Sequence, residues 1–399
     1  MREVVFIDCT RTLFGNIGGC LKDFSSAELA AIAMKGLAEK TGILERGKID
    51  GVLYGNALRD AKTDAQARYA VLLAGLPIET EAQFIEVQCG SGIEAINQAA
   101  AMIGLGYADV MMVGGCESYS TVPAYYSMSN EPYKLIPPSP MPSLLSPIPG
   151  ENINMTHVSD HMADKWGISR EECDEFSCRS QMRLQEAYKK KITGPEIVPV
   201  VIPATKKKPE QSLIQDEFPK ATTTIEILSK LRAVNPGGVT TAGNASGRND
   251  GASFLLMMSK EAAGKMDYTP YARWITGADI GCYPSEMGIG PALSNVKAMK
   301  KAGLKIADFD VMECNEAFAA QNLSVIKEME KLTGEKIDQN KWNPNGGAIS
   351  IGHPNGASGG RCAWFAMMQL VQTGGRYGFF SSCCGGGQGI SAIIENLRV

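Results

Sequence analysis

Residues Val87 to Ala100 read VQCGSGIEAINQAA, and the stretch sets a cysteine between strand-like and helical sequence. Phe84 to Val87 (FIEV) is short, mostly apolar and followed by glycines, whereas Ile93, Ile96, Ala100 and Ile103 recur at helical spacing. Cys89 therefore falls at a strand-to-helix turn. There the first backbone N–H groups have no partner inside the helix, and their partial positive charge favours a thiolate over a thiol. Such a position suits a nucleophile.

On either side, short apolar runs alternate with helical patterns, from Met1 to about Gly115 and again from about Tyr271 to Val399. The alternation predicts two α/β units. The sequence between them differs. Ser118 to Gly150 is rich in Pro, Ser and Tyr, a charged helical segment runs through SREECDEFSCRSQMRLQEAYKKK, and a Lys/Pro-rich patch (PATKKKPEQ) follows. It reads as an inserted loop domain. The flanking units resemble each other: IDGVLYGN (Ile49 to Asn56) matches DFDVMECN (Asp308 to Asn315) at an offset of 259, and Ser91, Gly92 and Cys116 match Ser358, Gly359 and Cys383 at an offset of 267. A period this long is not that of a solenoid and predicts a duplicated domain.

Composition narrows the function. The 399 residues, 44% of them hydrophobic, suffice for large buried cores, and a net charge of -4 gives no bulk drive toward nucleic acid or anionic lipid. Eleven cysteines without spaced CxxC pairs fit a reducing compartment better than a secreted disulfide framework or a zinc ribbon. The first residues lack a signal-peptide pattern, and the longest uncharged stretch, Leu135 to Gly150, holds six prolines and cannot stay helical across a bilayer. The expectation is a cytoplasmic globular protein with no membrane span and no nucleic-acid partner.

With three histidines in the chain, an imidazole base must be His157, His161 or His353. His353 lies in NPNGGAISIGHPNGASGG, a glycine-dense run suited to tight bends or close approach to a ligand, just before the helical SGGRCAWFAMMQL. In GFFSSCCGGGQG an apolar run ends in Cys383 and Cys384 before three glycines, and ligands gather at such strand ends in open α/β sheets. Small buried cysteines are the plainer account of that pair. Gly90 to Ala95 also fits GxGxxA between strand and helix, with Glu117 placed as a ribose-binding acid, although the match begins nearly ninety residues into the chain. His157 and His161 would share a helix face, with Asp160 or Asp164 as a third metal ligand. No HExxH pattern supports them, a polar helix face is simpler, and no metal is expected. Lys189 to Lys191 and Lys206 to Lys208 read as solvated charge able to meet phosphates.

Together these segments resemble the thiolase family: CGSG at Cys89, GGCESYS from Gly114, TAGNASGRNDGA from Thr241, MGIGP from Met287, NEAF from Asn315, GHPNGASG from Gly352 and CCGGGQG from Cys383. They stand in the family's order, and the similarity begins at RTLFG near the start. The resemblance implies an α/β protein with a duplicated, five-layered α/β/α/β/α fold. Its N-terminal half would span 1–118, completed by about 245–269, with an inserted loop domain at 119–244 for CoA-binding and oligomer contacts and a C-terminal half at 270–399. It implies cleavage of a 3-oxoacyl-CoA by CoA or the reverse Claisen condensation. Acetyl-CoA C-acetyltransferase activity is the first expectation, and a longer-chain 3-ketoacyl-CoA thiolase of fatty-acid degradation the alternative. Coenzyme A and acyl-CoA enter as substrates, no cofactor is bound permanently, and a homotetramer, or at minimum a dimer, is expected.

By resemblance Cys89 is the acylated nucleophile, His353 takes its proton, and Cys383 of the CxG motif moves the α-proton of the substrate from a polarised turn. The N–H groups of Cys89 and Gly385 would serve one oxyanion, and His353 with a water held by Asn315 the other. Ser246 and Ala242 match the segment along the pantetheine arm, Lys220 the basic residue near the nucleotide, and Met287 and Phe318 the acyl-end walls. Ala317 and Met155 join the expected substrate contacts. The chain departs from the family in Met155 to Asp160, which lacks the usual glycine and threonine, and at Leu13, where proline is usual. Cys89 and Cys383 would meet the same substrate carbons, so their sulfurs are expected within disulfide reach. A ketoacyl synthase would need a second histidine motif, and a non-catalytic lipid- or acyl-CoA-binding protein would lack catalytic residues that this chain keeps.

Overall fold

The first unit opens with strand β1 (Val4–Arg11), whose side chains alternate between two apolar faces, Val4 and Phe6 on one and Val5 and Ile7 on the other. The computed structural model describes residues 1–60, 63–204, 206 and 209–398, so Lys207 and Lys208 of the basic run, and Val399, lie outside the described residues. Helix α1 (Ser26–Thr41) starts at a capping box in which Ser25 Oγ accepts from the Glu28 N–H and Glu28 accepts from the Ser25 N–H, and it stops at Gly42 with φ of 62°. Strand β2 (Gly51–Gly55), helix α2 (Gln66–Leu73), strand β3 (Glu81–Ile85), helix α3 (Ser91–Leu105) and strand β4 (Val110–Glu117) follow. Helices α4 (Met155–Trp166) and α5 (Arg170–Lys189) occupy the long connection to strand β5 (Asn249–Ser259), which returns to pair antiparallel with both β1 and β4. The second unit repeats the plan with β6 (Ala272–Gly281), α6 (Gly290–Ala302), β7 (Phe309–Cys314), α7 (Ala319–Thr333), α8 (Asn355–Thr373), β8 (Tyr377–Cys384) and β9 (Gln388–Asn396).

These strands join in the order β7-β8-β9-β6-β1-β5-β4-β2-β3. Outward from the centre, β1-β5-β4-β2 and β6-β9-β8-β7 follow one path twice, meeting where Val4 to Phe6 pair antiparallel with Ala272 to Trp274. The two sequence offsets fall on equivalent places. Asn56 and Asn315 directly follow β2 and β7, and Cys116 and Cys383 are the penultimate residues of β4 and β8.

Three apolar clusters define the layers. One holds α1 and α2 against Val5, Met112 and Leu256; a second holds α3 and α8 between Phe6 and Leu255 of the first unit and Phe380 and Ile390 of the second; a third holds α6 and α7 against Met312 and Phe379. The stack is the five-layered α/β/α/β/α arrangement, with α3 and α8 at its middle. The connection helices α4 and α5 join the third cluster through Met162 and Phe176, so this segment packs on the second unit although it interrupts the first. A helix buried on all sides must be apolar or small all round. Where α3 meets α8 only glycine fits: a Cβ on Gly92 would lie 2.5 Å from the carbonyl oxygen of Gly356. Contact at that point brings the first turns of both helices together, and with them Cys89 and His353. Among the described residues no helix is long and apolar enough to cross a membrane.

Candidate active site

Cys89 sits in a single 3-10 turn between β3 and α3. The turn is forced through Gln88, whose φ of 48° lies in the left-handed region, and Ser91 braces it by accepting from the Val87 N–H at 2.9 Å and donating to the Gln88 carbonyl at 2.6 Å. Ser382 Oγ donates to the Cys89 carbonyl at 3.3 Å, tying the turn to the end of β8. A Cβ on Gly90 would collide with the sulfur of Cys384, so glycine alone allows this approach. The thiol does not behave as the helix terminus suggests. Burial pushes Cys89 up to about 12 and the Glu117 carboxylate adds to this, against the N–H groups of Cys89 and Gly385, which favour the thiolate. The expected resting thiolate is therefore corrected to a thiol that needs a base.

His353 supplies a neutral ring. It is buried just ahead of α8, its backbone N–H donates to Asn249 Oδ1 at 2.8 Å, and burial followed by the charge of Arg361 lowers the ring's pKa to about 3. Nδ1 lies 2.6 Å from Ser358 Oγ, which donates to the Pro354 carbonyl at 3.1 Å, so Nδ1 carries the proton. Nε2 lies 3.3 Å from Asn315 Nδ2 and accepts there. The amide's other end accepts from Arg361 Nη2 at 3.1 Å, which fixes its orientation.

Cys383, next to last in β8, is wholly buried and faces the third apolar cluster, while Cys384 faces the central helices. Burial raises Cys383 well above the ordinary thiol range, with further increments from Cys89 and Cys314, so the polarised turn expected to lower it is outweighed. Gly386 and Gly387, with φ of 88° and 94°, carry the chain away and leave the Gly385 N–H at the Cys89 sulfur. Cys89 and Cys383 are both free thiols.

The expected substrate residues fall into two adjoining groups. Lys220 and Ala242 line one cleft of about 160 Å³ with Phe218, Leu231 and Ile349. Ser246 and Ala317 are joined by the bond from the Ser246 N–H to the Ala317 carbonyl at 3.0 Å, and Ala245 forms a β-bridge with Phe318. Phe318 and Met287 are buried in one cluster with Met162, and Met155 packs half-buried against it.

Other readings find no support. Glu117, considered as a ribose ligand, accepts from Asn56 Nδ2 and the N–H groups of Ala57, Leu58 and Gly356, and the space a pyrophosphate would need at Gly92 is filled by α8. His157 bonds to Asn154, while Asp160 accepts from Asn235 Nδ2 and the N–H groups of Val239 and Thr240. Among the described residues no group of three or more His, Cys, Asp or Glu is arranged for a metal ion. Sequence reasoning passed over Arg361 and Glu313, a fully buried pair 3.2 Å apart that touches Asn315. A signal was present, since Arg361 is the one charged residue between Asn355 and Thr373.

The thiolase N-terminal domain matches residues 4–261 and the thiolase C-terminal domain residues 268–396. The chain belongs to the thiolase family. This thiolase is 38% identical over 412 residues to a beta-ketoadipyl-CoA thiolase of Acinetobacter baylyi, with 100% of both chains covered. It is 39% identical over 404 residues to an acetyl-CoA acetyltransferase of Syntrophomonas wolfei, covering 99% of this chain and 100% of the other. The crystal structure of human mitochondrial 3-ketoacyl-CoA thiolase in complex with CoA matches with a TM-score of 0.88 at 36% identity, over 99% of this chain and 98% of that one. As a thiolase the protein is an acyltransferase.

Proposed function

We propose that the protein is an acetyl-CoA C-acetyltransferase working through a Cys89 acyl-enzyme. The observation that carries this reading is a site of three neutral groups, two raised thiols and an imidazole whose Nε2 carries no proton and accepts from Asn315, gathered at paired backbone donors. In the proposed reaction Cys89 Sγ attacks the thioester carbonyl as His353 Nε2 takes the thiol proton. The tetrahedral oxyanion draws on the N–H groups of Cys89 and Gly385. Collapse breaks the C–S bond to CoA, which leaves with the proton from His353. His353 Nε2, vacated, next takes the Cys383 thiol proton; the Cys383 thiolate removes the α-proton of a second acetyl-CoA, the enolate carbon bonds to the acyl carbon, and Cys89 departs with the proton from His353 to leave acetoacetyl-CoA. While it carries that proton His353 Nε2 would donate to the enolate oxygen, together with a water held by Asn315.

Short acyl groups are favoured by the walls. Met287 and Phe318 are apolar and 2% and 8% exposed, closed against Met162. A dicarboxylic chain, as in beta-ketoadipyl-CoA, would need a cation at its far end, and neither wall offers one. The decisive assay compares thiolysis of acetoacetyl-CoA, six- and eight-carbon 3-oxoacyl-CoA and beta-ketoadipyl-CoA, together with peptide mass spectrometry after acetyl-CoA. Preference for acetoacetyl-CoA with an acetyl mass gain on the Cys89 peptide supports the reading. Absence of that adduct overturns it, and a preference for a longer substrate moves it to the corresponding thiolase. A homo-oligomer, dimer or tetramer, belongs to the same proposal and is supported by the exposed Met128, Tyr133 and Leu135 of the connection. Light scattering tests it.

A further inference from the structure

We propose that Arg361 is a positioning residue for the acyl transfer, holding the Asn315 amide in the one orientation that leaves His353 a base. The inference rests on the proposed roles of His353 and Asn315.

A side-chain amide can turn either its oxygen or its nitrogen toward a neighbour, and the two ends are alike in shape. If Asn315 presented its oxygen to His353 Nε2, that nitrogen would have to carry a proton and could not accept one from Cys89. Arg361 decides between the two, because a guanidinium has only donors. Its Nη2, 3.1 Å from Asn315 Oδ1, requires the oxygen on its side and so sends the NH₂ to His353 Nε2 at 3.3 Å. Nδ1 then keeps the proton for Ser358 at 2.6 Å, and Ser358 passes its own to the Pro354 carbonyl. Every bond points one way from Arg361 onward.

Arg361 is itself placed with little freedom. Its side chain is 0% exposed, Nη1 donates to Glu313 Oε2 at 3.2 Å, and the guanidinium carbon lies 5.2 Å from the centre of the Phe365 ring. It stands one helical turn after Ser358 on α8, so one rigid element carries both ends of the relay. A guanidinium buried beside a carboxyl is weak evidence for a stabilising role, since desolvation offsets any attraction between them. Orientation of the next group is what it provides here.

The test uses the full-length protein. R361M is expected to lower kcat for acetoacetyl-CoA thiolysis by about 10- to 100-fold, the loss of a hydrogen bond to a charged group, with KM little changed. An amide free to turn its oxygen inward favours a protonated ring, so the acid limb of the kcat/KM profile should move to higher pH. The N315A/R361M double variant should be no slower than N315A, because Arg361 acts through Asn315. If R361M does not fold, R361Q/E313Q, which keeps an amide donor for Asn315, is compared with R361M/E313Q, which lacks it. The first should turn over at least tenfold faster. Equal rates for that pair, an unmoved acid limb in R361M, or additive losses in the double variant overturn the proposal. An inactive parent protein would overturn the proposed function instead.

Discussion

The contact of α3 with α8 gives a direct test of what holds the site together. In Gly92→Ala the new methyl would lie 2.5 Å from Gly356 O, 3.2 Å from Gly359 Cα and 3.3 Å from Gly359 N, where ordinary contact begins near 3.4 Å. All three are backbone atoms, so no side chain can swing aside and the helices must part by roughly 0.9 Å, the difference between the first distance and ordinary contact. Overpacking of this kind costs about 1–3 kcal/mol. A lowered Tm of a few degrees follows. The rate should suffer more, because the displaced ends carry Cys89 and His353, and a misplacement near 1 Å can cost about 10²-fold. The assay pairs thermal melting with the rate of Cys89 acetylation by acetyl-CoA. Gly264→Ala, in open space on a surface helix, serves as the control and should change neither. If Gly92→Ala melts and acetylates like the parent, the helix contact does not set the distance between the proposed nucleophile and base.

Ser358→Ala leaves the buried Nδ1–H of His353 without its acceptor, a loss of about 1–3 kcal/mol that should appear as slowed acylation; parental acylation kinetics would count against the assigned tautomer. Cys383→Ser should still take up acetyl on Cys89 yet lose acetoacetyl-CoA formation by about 10²- to 10⁴-fold, read by mass spectrometry and product assay; condensation at the parental rate would remove Cys383 from the proposed role. Burial raises the Glu313 carboxyl from 4.5 to about 8, so the native state holds its proton where the unfolded chain has lost it, and the stability contributed at low pH is lost as pH rises through that window. Melting curves of Glu313→Gln against the parent should therefore shift in the variant's favour from about pH 4.5 to 8, and a pH-independent difference would contradict the shift.

What the sequence made legible and what it hid divide along physical lines. Cys89, His353 and Cys383 stand out because their residue types are scarce or sit in glycine-rich turns, and both features are local. The duplication was readable from Asn56 against Asn315 and Cys116 against Cys383, which occupy equivalent strand ends. The sign of the thiol shifts was not. A helix terminus is visible in sequence, but the burial that overrides it depends on chain nearly three hundred residues away, where the Cys384 turn closes over Gly90. Packing of α4 and α5 on the second unit was hidden for the same reason. Arg361 lay between the two cases: a lone charge in an otherwise uncharged helix marks a buried partner, but nothing local names Asn315 as that partner.

High thiol pKa values are consistent with the proposed chemistry. A low-energy thiolate at Cys89 would draw on the N–H groups of Cys89 and Gly385 in the resting state, and those donors would then gain little when the oxyanion forms. Held as a thiol, Cys89 leaves them for the transition state, which is where binding energy accelerates a reaction. The neutral His353 follows the same logic, since an imidazolium formed beside Arg361 is disfavoured at rest and tolerable only while an anion is being made next to it. The three reacting side chains thus stay uncharged until a carbonyl arrives to receive the charge. In the proposed site Phe318 and Met287, buried in one apolar cluster with Cys383, would strengthen each donor by excluding water at that moment, and opening that wall should slow acylation even with every reacting group retained.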